Sequence, residues 1–341
     1  MGDDLRRQAD FPAGRAAHVL AWVLACGVFP LVWMGGLVTT YRAGMAVPDW
    51  PTTYGHWFYP IQKWLWGVWD VSWGLFLEHG HRTIAQLIGL VTIALAVVLW
   101  RNDPRKWMRW LAGAALFGVV FQGTLGGFRV LSDTARMPAT ALFLAKTHAC
   151  TAPLFFGLAV VLVALTSRAW RALPGPEPHP AAARLRYASV VLAAAVYVQI
   201  VLGAQLRHVS PQSGMGWFVL WVWAKVILAG LLAAGVVWLL IHVRRRHRDR
   251  PMLGRRALLV AVLLAVQLVL AAGTWVTNYG WPRWFTDLFF RVEYTIEWAG
   301  RLQVLFTTAH TAAGSLLLAA SLSLALWSFR IERQASGGKP R

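Results

Sequence analysis

The stretch from Gly74 to Trp100 reads GLFLEHGHRTIAQLIGLVTIALAVVLW. Residues 83–100 carry no charge, and the run exceeds the roughly 20 apolar residues that cross a bilayer as a helix. Backbone amides cannot go unpaired in hydrocarbon, so a run of this kind is helical. Its ionisable residues, Glu78, His79, His81 and Arg82, all fall at one end. An apolar span with ionisable groups gathered at one boundary decides the fold class, because seven more runs of the same length surround it.

Those runs are His18–Thr40, Trp110–Val130, Ala139–Thr166, Tyr187–Arg207, Gly216–Val243, Ala257–Thr277 and Leu302–Phe329. The expected fold is an all-α membrane protein of eight transmembrane helices. Composition agrees, with 57% hydrophobic and 14% charged residues, against about 25% charged in soluble domains. The net charge of +19 does not point to nucleic acid, because the basic residues stand in short clusters between the apolar runs. The 21 Trp suit membrane–water boundaries. Cys26 and Cys150 each lie alone in an apolar run, which argues against a disulfide or a Cys-ligated metal. Met1–Arg15 lacks the basic-then-apolar order of a cleaved signal.

Lysine and arginine set the expected orientation. The loops after the first, third, fifth and seventh spans hold 8, whereas the N-terminus, the other loops and the C-terminal tail hold 22. Both termini are therefore expected on the cytoplasmic side, and the protein in the inner (plasma) membrane with its sites toward the outer face. The expected organisation is a tail (1–17), a four-helix half (18–167), a Pro-rich cytoplasmic linker (168–186), a second four-helix half (187–330) and a tail (331–341). Gln122-Gly-Thr-Leu125-Gly126 is echoed by Gln267-Leu-Val-Leu270-Ala271, a weak internal repeat. The outward loops Tyr41–Trp73 and Asn278–Arg301 are rich in Trp, Tyr, Pro and Gly, a composition for amphipathic caps.

His81, His148, Lys225 and His310 each lie 19 or 20 residues before the first arginine at the far end of their span: Arg101, Arg168, Arg244 and Arg330. At about 1.5 Å per residue, all four sit about 30 Å from that boundary. Ionisable groups at one depth on four helices face a bundle interior. Histidines from facing helices hold a haem iron axially, while a proton path is the competing reading. Glu78 and His81 share a helix face at i, i+3, so the carboxylate is a candidate base or anchor, or else an ion-pair partner of Arg82 or Lys146. Arg42, Arg129 and Arg207 at the outward ends suit haem carboxylates or lipid headgroups. His208 is an interfacial residue or a spare ligand.

These residues resemble the haem A synthase family over nearly the whole chain: Glu78-x-x-His81-Arg82, His148, His310, the Gln-x-x-Leu-Gly runs and the loop Gly44–Gly55 with Pro48-Asp49-Trp50-Pro51. The resemblance implies oxidation of the C8 methyl of haem O to the formyl of haem A, by two hydroxylations to a geminal diol that dehydrates. It implies that His81 and His148 hold the substrate haem iron, with Glu78 the catalytic carboxylate and Arg82 and Arg129 beside the haem. It implies a cofactor haem b in the second half at His310, with Lys225 and His208 as the other candidate groups. Expected partners are haem O, the haem O synthase that supplies it, a membrane electron donor and the bilayer, with no nucleic acid and self-association left open. Non-catalytic haem binding, as in a cytochrome b or an assembly factor, is the alternative. Two departures stand out. Positions that carry a Cys pair in many family members are Val47 and Thr53 here, and Lys225 occupies the place of a histidine. A protonated lysine has no lone pair for iron.

Overall fold

In the computed structural model, the structure describes residues 12–56, 72–172, 180–209, 214–281, 287 and 298–330. Eight long helices account for nearly all of them: α1 (Pro12–Thr40), α2 (Trp73–Asn102), α3 (Lys106–Thr134), α4 (Pro138–Thr166), α5 (Pro180–Arg207), α6 (Met215–Arg246), α7 (Pro251–Tyr279) and α8 (Arg301–Ser328). All eight are long and apolar enough to cross a membrane. No strand occurs among the described residues, only an isolated bridge between Thr53 and His56. The protein is thus an all-helical, multi-pass membrane protein.

The helices outrun the apolar spans by up to two turns, because backbone pairing continues past the hydrocarbon boundary. Two expected boundaries change accordingly. α1 starts at Pro12, inside the expected tail, and α5 starts at Pro180, inside the expected linker. A helical turn, Arg168–Arg171, capped by the Ser167 hydroxyl, shortens the linker from its other side. Residues 1–11, 57–71, 173–179, 282–286, 288–297 and 331–341 lie outside the described residues. With them go the rest of the linker, most of the expected amphipathic caps, Lys63, Arg283 and Arg291.

Packing follows a simple order. α1, α2, α3 and α4 form a ring in which each helix packs on the next and α1 closes on α4. α5, α6, α7 and α8 form a second ring, closed by α5 on α8. The rings meet where α8 packs on α4 and α1. α4 and α8 are accordingly the most buried helices. Small residues let them approach: a Cβ on Gly157 would come within 2.6 Å of Leu322. α2 and α4 stand at opposite corners of their ring, as do α6 and α8 of theirs.

At the arginine-rich end, arginines bind the unpaired carbonyls of helix C-termini. Arg105 donates to Leu165 O and Arg171 to Thr166 O at the end of α4, and Arg186 donates to Ser328 O at the end of α8. Cations at these termini also complement the helix dipole. Arg256 over Trp327 and Arg330 over Trp170 add cation–π contacts.

Candidate functional site

At the other end of the bundle, a loop is locked onto the first ring. Asp49 nucleates it, accepting hydrogen bonds from the Thr52 hydroxyl and from the Tyr54 and Gly55 amides. Tyr54 and Gly55 adopt φ values of 48° and 78°, the left-handed turn that an Asp at its start favours. Burial alone would raise the Asp49 carboxyl, but the Gly55, Thr52 and Tyr54 donors hold it below the ordinary aspartate value. Val47 and Thr53 are both buried, so the loop closes by hydrogen bonding where the resembling family often has cysteines. Cys26 and Cys150 are free.

Arg82 of α2 is the clasp. Its guanidinium donates to the carbonyls of Asp49 (2.6 Å), Thr52 (2.8 Å) and Val47 (3.0 Å), and pairs with Glu78 at 2.7 Å. The second Glu78 oxygen accepts the Val47 amide at 2.9 Å. Glu78 is 4% exposed, and both its oxygens are engaged. α3 holds the other flank: Arg129 donates to Gly44 O and pairs with Asp133, and Thr134 donates to Pro48 O. Trp50 lies where a Gly127 side chain would be, 2.2 Å from its Cβ position. Arg82 thus gives three hydrogen bonds to this loop, whereas Arg129 gives it one and otherwise pairs with Asp133 of its own helix. Of the alternatives for Glu78, the Arg82 ion pair is the one that forms.

Inside the ring, His81 (α2) and His148 (α4) lie within electrostatic reach of one another from opposite corners. His81 makes no hydrogen bond to a described residue. His148 rests on α3 between the Gln122 carbonyl and Gly126, and its Nδ1 is buried without a partner. Glycines let α1 and α3 approach both imidazoles closely: a Cβ would sit 3.2 Å from His81 Nε2 at Gly35 and 3.6 Å from His148 Cε1 at Gly126. Among the described residues, no cluster of three or more His, Cys, Asp or Glu is placed to hold a bare metal ion. A haem brings four nitrogen ligands of its own and asks the protein for one or two axial groups. Two imidazoles flanked by glycine, one with its Nδ1 buried without a partner, fit that group.

The second ring repeats the placement with different chemistry. Lys225 (α6) and His310 (α8) are within electrostatic reach from opposite corners. Gln267 of α7 donates to His310 O at 3.0 Å and stands 3.5 Å from its Nε2, while His310 Nδ1 is buried without a partner. Gly35 and Gly36, neighbours on α1, touch His81 and Thr308 respectively, which sets His81 and the His310 turn at one level. This ring offers one imidazole where the first offers two. Arg207, Arg129, Lys146 and His148 lie within electrostatic reach of His208. Burial, then Arg207, pulls the His208 imidazole down to about 4. Arg42, at φ 51°, lies over Trp298.

Sequence reasoning missed the parts of the site supplied by backbone: the Val47 amide and the Val47, Asp49 and Thr52 carbonyls. It also missed Trp50 against Gly127. The only hint was the Pro-Asp-Trp-Pro segment itself.

Fold and site together define a polytopic membrane protein that carries paired intramembrane histidines beneath a clasped loop. The profile of the cytochrome oxidase assembly protein family, COX15-CtaA, matches residues 18–211, more than half of the chain. The chain belongs to this family. A heme A synthase of Rhizorhabdus wittichii is 26% identical over 313 residues, which are 78% of this chain and 88% of that protein. A heme A synthase of Symbiobacterium thermophilum is 32% identical over 43% of this chain and 48% of that protein. A protoheme IX farnesyltransferase of Halobacterium salinarum is 29% identical over 67% of this chain and 50% of that protein. The chain thus spans about half the length of that relative. The family match takes in α1–α5 and stops before α6, the helix of Lys225.

Proposed function

We propose that this protein is a haem A synthase, a membrane oxidoreductase that converts the C8 methyl of haem O to a formyl group by successive hydroxylation. The observation that carries this reading is the His81–His148 pair: two imidazoles on opposite corners of one ring, with glycine beside each. The substrate iron and its porphyrin supply the redox chemistry when bound. The protein's part is to hold and enclose. His81 and His148 would hold the iron. The loop over residues 44–55, clasped by Arg82 and Glu78, closes the ring against water. Arg129 keeps that loop seated and stands at the rim for a haem carboxylate. Oxygen and electrons come from outside the chain, the latter from a membrane donor.

Glu78 acts first as a positioning residue, because Val47 and Arg82 occupy both oxygens. A direct part at the reacting methyl requires it to let one of them go. That engagement is also what favours a second reading, a haem-handling assembly protein that binds without oxidising. The second ring is the proposed place of a cofactor haem b with His310 as its imidazole ligand. The termini and arginine-rich end are assigned to the cytoplasm of a plasma-membrane protein, with the haem sites toward the outer face. Likeness to a protoheme IX farnesyltransferase suits a position directly after haem farnesylation, with that enzyme as supplier of substrate.

The test is the haem composition of a host that makes haem O, with and without this protein. Haem A appearing only with the protein supports the enzyme. Haem O bound to the protein but unchanged supports the second reading.

A further inference from the structure

The four helices of the second ring contain no Asp or Glu, yet they place two cationic head groups inside the bundle. Lys225 Nζ reaches across from α6 to α5. It would stand 2.9 Å from a Cβ on Gly203, and among the described residues its hydrogen-bond partner is the Gln199 carbonyl at 3.5 Å. Arg207 lies one turn further along the same α5 face, at i+4 from Gly203, about 6 Å away. It donates to three neutral oxygens: Thr311 Oγ1 at 2.6 Å, Gly36 O at 2.7 Å and Thr40 Oγ1 at 2.8 Å. Neither cation has an acidic partner among the described residues, and both are partly buried between helices. Around them Gln199 Oε1, Gln267 Oε1 and His310 Nδ1 are buried without a hydrogen bond. A buried charge without a counter-charge costs several kcal/mol, and so do unpaired polar atoms. Charge and unmet hydrogen-bonding capacity together call for a polar, anionic ligand.

We propose that Lys225 and Arg207, at one face of α5 beside His310, form a carboxylate-binding pair, which receives the carboxylates of a tetrapyrrole. This rests on the haem reading above and changes its ligand set. Lys225 is then the charge partner of the ligand's acid groups and not an axial ligand, leaving His310 as the imidazole. The site differs from the first ring in having its cations inside the bundle and not spent on a loop.

Metal-free protoporphyrin IX and its dimethyl ester distinguish the roles, because neither contains iron. Both are titrated by fluorescence into the full chain in nanodiscs of zwitterionic lipid. The free acid is expected to bind about tenfold or more tightly than the ester, the scale of a lost charge-assisted hydrogen bond. Lys225→Met is expected to reduce that preference, and Lys225→Arg to keep it, since a guanidinium pairs with carboxylate but does not ligate iron. Equal binding of acid and ester to the unaltered protein overturns the proposal, and this arm needs no variant. So does a Lys225→Met protein with its preference intact, or a Lys225→Arg protein that has lost it. Displacement of the porphyrin by excess phosphatidylglycerol assigns the cations to lipid phosphate and also overturns it. None of these outcomes bears on whether haem A is made.

Discussion

Glu78 shows how little of a residue's role its type reveals. The sequence places a carboxylate three residues before a histidine on one helix face, and that spacing is compatible with a base. The structure commits one oxygen to the Val47 amide and the other to Arg82. Glu78→Gln keeps the shape but removes the charge, leaving the Arg82 guanidinium without its counter-ion. We expect haem to remain bound while haem A formation falls at least tenfold, with faster amide hydrogen exchange at Val47. Unchanged turnover removes Glu78 from both positioning and chemistry. His148→Ala is expected to abolish bis-imidazole ligation, seen as loss of the low-spin ferric signal. A bis-imidazole signal that survives this change places the ligand pair elsewhere. The spacing of each histidine from the arginines was legible in the sequence. Which nitrogen atoms stay uncommitted was not, because that depends on neighbours such as Gln122 and Gln267 on other helices.

At the scale of elements, the loop over residues 41–56 is the feature the sequence hid. Its Pro-Asp-Trp-Pro segment announces a turn. Nothing local says that Arg82, some thirty residues on, will bind three of its carbonyls. Seating depends on α3 leaving room for Trp50. Gly127→Ala puts a methyl carbon 2.2 Å from the indole, so the ring has to leave its place. A cost of about 1–3 kcal/mol is expected, typical of overpacking, measurable as a lower thermal midpoint in detergent. An unchanged midpoint would mean that Trp50 contributes nothing to seating. Asp49 gives the loop a pH dependence. Its folded-state carboxyl is held below the ordinary value, so its contribution is present above about pH 4 and is lost as pH falls through the folded value. Exchange of the Tyr54 and Gly55 amides, corrected for intrinsic rates, is expected to rise in that acidic range. In Asp49→Asn the rise is expected to vanish; if it persists, another group controls the loop.

For the whole molecule, hydropathy and charge sufficed for eight helices. Hydrocarbon leaves a backbone no alternative, so the spans were legible almost to the turn. The order of packing was not. Eight apolar helices can be ringed in many ways, and the choice rests on close approaches such as Gly157 on Leu322 and Gly273 on Phe306. Those approaches put α4 and α8 at the centre and set each histidine-bearing pair on opposite corners. The resulting molecule has one ring with two imidazoles under a clasped loop and a second ring with one imidazole beside buried cations. That asymmetry underlies the proposed division of labour between substrate and cofactor sites. The most direct measurement is extraction and chromatography of haem from a host that makes haem O but lacks haem A, after introducing this protein. The account predicts haem A in the membranes, and its absence with His148→Ala. Haem O alone, with the protein folded and inserted in the membrane, would contradict it.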